Sequence, residues 1–135
     1  MCLKEGNKIQ ITEKSVIGYK VVDVHNNFIS PIFNAPKVLG EGVGNIITKH
    51  KKYKISFFYS RRSAKMFLDL LKKHTPDELN LAIGKDINPK IAKVRCFDGI
   101  YKGTLPWELG SNLLQNLIFR NDAGECALQE ILEIY

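Results

Sequence analysis

Apolar and β-branched residues crowd the stretch from Ser15 to Val24, where Val16, Ile17, Tyr19, Val21, Val22 and Val24 follow one another without helical spacing. Such side chains suit a pleated, half-buried surface, so the segment predicts a strand. His25-Asn26-Asn27 then carries turn chemistry, because asparagine tolerates positive φ. Phe28-Ile29-Ser30-Pro31-Ile32-Phe33 predicts a short returning strand, and Pro31, which has no N–H to give a ladder, places it at an edge. Ser15 to Phe33 therefore predicts a β-hairpin. Two more strands are expected over 45–48 and 53–59, joined by the basic segment Lys49-His50-Lys51-Lys52.

The period changes after Tyr59. Ala64, Phe67, Leu68 and Leu71 stand at i, i+3, i+4 and i+7, with Lys65, Asp69, Lys72 and Lys73 between them. That spacing lines one face of a helix from about Ser60 to His74. Ser60 is its expected cap, Lys72, Lys73 and His74 suit the negative end of its dipole, and Thr75-Pro76 closes it. A short helix over 78–83 is also expected. From Ile91 the period returns to two: Ile91, Lys93, Arg95 and Phe97 alternate with Ala92, Val94 and Cys96. Asp98-Gly99 predicts a hairpin turning into a strand over 100–104. The stretch 112–119 is ambiguous, Asn121 to Gly124 predicts another turn, and Glu125 is expected in a turn. Ala127 to Tyr135 fits either a strand or a helix, with its β-branched residues favouring a strand. Strands, one clear helix and then more strands imply an α+β fold. An antiparallel-rich sheet would carry one main helix (about 60–74) packed on one face.

Length and composition narrow the class. The 135 residues fit a single domain over 1–135, and 44% hydrophobic with 25% charged residues is ordinary globular usage. No apolar run reaches the ~18 residues of a membrane span, and the first residues lack the apolar core of a signal peptide. No membrane partner is expected, and a cytoplasmic location is. Cys2, Cys96 and Cys126 are odd in number with no close pair, which predicts reduced thiols rather than a disulfide framework or a metal knuckle. Cys2 at the chain start invites comparison with an N-terminal nucleophile, but nothing near it resembles an oxyanion loop.

Candidate chemistry is sparse. Gly40, Gly42 and Gly44 suggest a phosphate loop, yet the segment runs on as Asn45-Ile46-Ile47 rather than as the Gly-Lys-Ser/Thr end that opens a helix. His25, His50 and His74 lack paired-ligand spacing, so neither metal nor cofactor is expected. Glu130 and Glu133 are expected on opposite sides of a strand, and no residue is assigned a catalytic role.

Charge is the stronger signal. The net charge of +6 favours acidic partners. Arg61 and Arg62 follow the cap Ser60, at the positive end of a helix dipole where cations are disfavoured. Rules broken without local gain are where function often resides. Lys49, Lys51, Lys52 and Lys54 lie just upstream, interleaved with Tyr53 and Tyr59. Together with Arg61 and Arg62 they form the candidate anion-binding set, arginine suiting phosphate through its planar fork. The expected function is a non-enzymatic binding protein that engages nucleic acid or an acidic protein surface. The alternative is a small enzyme or nucleotide-ligand binder using Gly40–Gly44 with Arg61 and Arg62 on a phosphate.

Ser56-Phe57-Phe58-Tyr59-Ser60-Arg61-Arg62-Ser63-Ala64-Lys65 resembles a family of small bacterial and phage proteins. Those have an early Tyr-Lys-Val strand and an aromatic strand end leading into a helix with alanine near its first turn. Gly18-Tyr19-Lys20-Val21-Val22 with Ser30-Pro31 is similar to that opening, and Cys126-Ala127-Leu128-Gln129-Glu130-Ile131 to the closing strand. Where those proteins carry Gly-Phe-His, this chain has Ser56-Phe57-Phe58, so no role of that histidine transfers. The resemblance implies a compact α+β fold and a phage or mobile-element origin, for which an inhibitor acting in a host cytoplasm would be a fitting role.

Overall fold

The structure is a computed structural model and describes residues 3–4, 6–31, 54–73, 88–105 and 118–135. Within them, eight strands build one sheet: β1 (Ile9–Gln10), β2 (Ser15–Val22), β3 (Phe28–Ile29), β4 (Ile55–Phe58), β5 (Lys90–Phe97), β6 (Tyr101–Gly103), β7 (Ala123–Cys126) and β8 (Leu128–Ile134). Their order is β1-β6-β7-β4-β2-β5-β8, with β3 also on β2, and every pairing is antiparallel. The helix α1 (Arg61–Lys73) follows β4. The α+β architecture with one main helix is thus the one its sequence pattern implies. The expected strand over 45–48 and the helix over 78–83 lie outside the described residues.

The first hairpin closes, but its returning strand is Phe28–Ile29 alone; Ser30 and Pro31 lie beyond the strand, and residues 32–33 lie outside the described residues. Val21 pairs with Ile29 and Val22 with Phe28. Asn26 takes a φ of 61°, while the Asp23 carboxylate accepts the His25 and Asn27 N–H groups at 2.8 and 2.9 Å. One side-chain acceptor thereby holds two turn donors.

The sheet curls because two strands that follow one another directly in the chain stand far apart in the ladder order. β7 pairs with β4, whereas β8, only Ala127 further on, pairs with β5. Side chains from strands far apart in the ladder order consequently meet on the inner surface. Val22, Ile55, Phe57, Ala92, Val94, Cys96, Cys126 and Ile131 form that core. Gly18 and Gly124 flank the Phe57 ring: a Cβ on Gly18 would stand 2.5 Å from Cδ2, and one on Gly124 2.8 Å from Cε1. The ring occupies the space two side chains would need.

On the outer surface α1 covers Val21, Phe58, Ile91 and Ala123 with Ala64, Phe67, Leu68 and Leu71, and Phe119 completes the cluster. The i, i+3, i+4, i+7 set is thus the buried face. Phe67, Leu68 and Leu71 each contribute about 1.5–3 kcal/mol by leaving water.

Four local expectations need correction. Asp98 and Gly99 do turn, with φ of 66° and 73°, but β5 and β6 do not pair with each other. Both edges of β5 are taken by β2 and β8, so β6 joins β7 instead. The expected turn from Asn121 ends earlier: residues 118–121 form a single 3-10 turn, and Ala123 and Gly124 already belong to β7. Glu125 lies on β7, fully buried, and accepts a hydrogen bond from Lys8 Nζ at 3.1 Å. Glu130 and Glu133 share a face, opposite Arg95 and Lys93, because a register shift between Lys93 and Val94 inserts one extra residue into β8.

Candidate nucleic-acid interface

The start of α1 explains why two arginines are tolerated there. Ser60 caps the helix, its Oγ accepting the Ser63 N–H at 3.2 Å. The Asp122 carboxylate, delivered by the turn before β7, accepts the Ser60 N–H at 3.0 Å and the Ser60 and Ser63 hydroxyls at 2.5 and 2.7 Å. A carboxylate at a helix N-terminus offsets the positive end of the dipole. The Arg61 guanidinium lies 4.0 Å from the centre of the Tyr135 ring. The dipole conflict that singled out Arg61 and Arg62 is therefore answered by residues far along the chain.

The same helix carries a more extensive feature. Its exposed residues are Arg61, Arg62, Lys65, Asp69, Lys72 and Lys73, and every one is charged. At 100° per residue they fall within an arc of about 120°, opposite the buried set, and they extend over about 18 Å. Lys65 and Asp69 pair across one turn at 2.5 Å. Arg61, Arg62, Lys72 and Lys73 then supply the stripe's uncompensated charge. Stacking on Tyr135 leaves the in-plane N–H groups of Arg61 free to bind oxygens.

Of the anticipated set, the structure brings Arg61 and Arg62 onto this stripe and not Lys54. Lys54 precedes β4 while Arg61 follows it, so the strand separates them. Lys54 Nζ donates to Gly99 O at 3.3 Å and lies 5.8 Å from the centre of the Tyr101 ring. Lys49, Lys51 and Lys52 lie outside the described residues, as does the Gly40–Gly44 loop. Lys65, Lys72 and Lys73 were legible in the sequence as outward-facing and belong with Arg61 and Arg62. Helical spacing was the signal that could have joined them.

A second polar group lies inside the curl, where sequence reasoning placed none. Lys20, only 2% exposed, donates to Ser56 O at 2.6 Å, and its ammonium lies 4.9 Å from the centre of the Phe28 ring. Gln129 Nε2 donates to Ile55 O and Ser56 O at 3.3 and 3.2 Å. β2 pairs with β4 in the ladder only at Tyr19–Phe58, so the β4 carbonyls beyond it need side-chain donors. Cys96 and Cys126 are buried in the same core as free thiols, and Gln129 Nε2 also donates to the Cys126 sulfur at 3.4 Å. Burial pushes the Tyr59 phenol up to about 12, with Cys96, Cys126 and the carboxylates of Glu13 and Asp122 adding to it. No group of three or more His, Cys, Asp or Glu side chains able to hold a metal occurs among the described residues. Nor is any helix among them long and apolar enough to cross a membrane.

Compared with protein-family models, curated proteins and solved structures, the chain finds no significant match in any of the three. The chemistry of the surface itself therefore carries the functional reading.

Proposed function

We propose that this protein binds nucleic acid non-enzymatically, using the exposed face of α1 to engage the phosphate backbone. The observation that carries this reading is the stripe itself: six exposed residues, all charged, five of them cations. Duplex DNA presents one negative charge per ~1.7 Å of axis, so about ten phosphates lie along an 18 Å stripe. Arg61 and Arg62 suit those oxygens through paired N–H groups, and Lys72 and Lys73 act as point charges at the other end. Such contacts fix position on a backbone and carry no base preference by themselves. The net charge of +6 adds long-range attraction to the same partner. The family resemblance and small size suit a mobile-element protein that occupies nucleic acid in this way.

The test is fluorescence anisotropy with labelled duplex DNA and with labelled single-stranded RNA across a salt series. Four neutralised phosphates predict a log–log slope of about −3 to −4. Binding that ignores salt, or no binding at low ionic strength, would contradict the proposal. In the latter case the remaining partner class is an acidic protein surface.

A further inference from the structure

We propose that Arg61 and Tyr135 together form a seat for one unpaired base, so that the α1 stripe takes nucleic acid with a single-stranded segment. This base contact rests on the phosphate-binding reading of α1 and adds to it. The Arg61 guanidinium lies 4.0 Å from the centre of the Tyr135 ring, over the face of the ring. Both residues are exposed, and Tyr135 is the only exposed aromatic among the described residues. That one exposed ring stands at the end of a row of cations.

The framework behind the pair is firm. The Tyr135 N–H donates to Ile91 O at 2.8 Å, which fixes Tyr135 to β5 at the end of β8. Ile91 is itself buried in the core with Phe67, Leu68 and Leu71 of α1. The ring is thereby carried to the first turn of the helix by the sheet. Ser60 and Asp122 already accept the Ser63 and Ser60 N–H groups, so the attraction at this place comes from side chains and not from the helix dipole.

A base and its phosphate ask for different things, and this pair supplies both. Bases lie flat on aromatic rings and on guanidinium planes, and every base has a π-face to offer, so the contact tolerates any sequence. Phosphate needs cationic donors beside that face. Arg61 makes no hydrogen bond or ion pair among the described residues, so its in-plane N–H groups serve the adjoining phosphate, with Arg62 next to it. In a duplex the faces of each base are covered by its neighbours in the stack. A single strand, or the unpaired end of a duplex, leaves a face open. The backbone then continues along the stripe towards Lys72 and Lys73.

The experiment measures fluorescence anisotropy of the full chain with three labelled DNAs of equal phosphate number. They are a blunt duplex, a duplex with a short single-stranded overhang, and the same overhang built from abasic nucleotides. One stacked base should make the normal overhang bind about 5- to 150-fold more tightly than its abasic twin. Tyr135→Ala should remove that difference and leave blunt-duplex affinity unchanged, whereas Tyr135→Phe should keep it. Irradiation of an overhang containing iodouracil should cross-link it to Tyr135, as read by peptide mapping. Salt-dependent binding of all three DNAs with equal affinity would overturn the base seat and leave the phosphate reading of α1 standing. No binding of any of them at low ionic strength would overturn both. A Tyr135→Ala protein that melts lower yet keeps the full preference would show that the ring only braces β8 against α1, and would overturn the proposal, as would cross-linking that bypasses Tyr135.

Discussion

Replacing Gly124 by alanine should destabilise the protein, against the usual sign for a glycine in a strand. In a strand interior that exchange ordinarily gains about 0.5–1 kcal/mol, because glycine loses the most freedom on folding. Here the new methyl would meet the Phe57 ring at 2.8 Å from Cε1 and 2.9 Å from Cε2, and nearer still to Cζ. The ring has nowhere to withdraw. It is 1% exposed, the Gly18 backbone blocks its other edge, and the Tyr59 ring stands 4.9 Å away between centres. Overpacking of this kind costs about 1–3 kcal/mol, which outweighs the entropic gain. A double-mutant cycle isolates the cause. With Phe57→Leu already present the clash is gone, and Gly124→Ala should become nearly neutral or slightly favourable. The expected coupling of about 1–3 kcal/mol exceeds the ~0.3–0.5 kcal/mol scatter of independent sites. Urea unfolding followed by far-ultraviolet circular dichroism measures it, provided the denaturant slope stays constant. Gly124→Ala stabilising the parent protein, or costing the same in both backgrounds, would refute the reasoning.

Other outcomes follow from the same geometry. Leu68→Ala should cost about 2–5 kcal/mol, since the side chain is buried beneath α1, and an unchanged melting temperature would contradict that. Asp122→Ala should cost about 1–3 kcal/mol by removing the acceptor of three hydrogen bonds at the helix start, and equal stability in denaturant titration would count against this. The folded protein holds the Tyr59 proton more tightly than the unfolded chain. Its contribution to stability is therefore intact below pH 10 and is lost as pH rises through about 12. Tyr59→Phe should remove this part of the alkaline stability loss, and a variant with the parent's alkaline profile would contradict the assignment.

The sequence disclosed most where one physical cause dominates locally. The α1 face was legible because burial at helical spacing leaves a 3.6-residue period, and the first hairpin because Asn26 accepts positive φ. β5 was legible through its alternation of buried and exposed positions. What stayed hidden depends on distant partners. Asp98-Gly99 carries the signature of a hairpin, yet local chemistry cannot report that β8 and β2 already fill both edges of β5. Gly124 reads as a turn residue until the Phe57 ring is placed against it. Arg61 and Arg62 looked unsupported because Asp122 and Tyr135, 60 or more residues away in the chain, supply their surroundings. The site was half legible. Charge density marked the region and its two arginines, but linear proximity favoured the upstream lysines over those one and three turns along the helix.

If the α1 stripe carries the binding charge, the salt dependence of defined variants must show it. Lys72→Gln with Lys73→Gln removes two stripe cations at exposed positions, and should reduce the magnitude of the log–log salt slope for duplex DNA by about two. Lys102→Gln serves as the control. Lys102 is exposed on β6, pairs with Gly124, and lies over the Tyr59 ring rather than on the stripe. A stripe that carries the binding charge gives a reduced slope for the α1 variant and the parent slope for the Lys102 variant. Equal slopes in all three proteins, or the same reduction from Lys102→Gln, would contradict it.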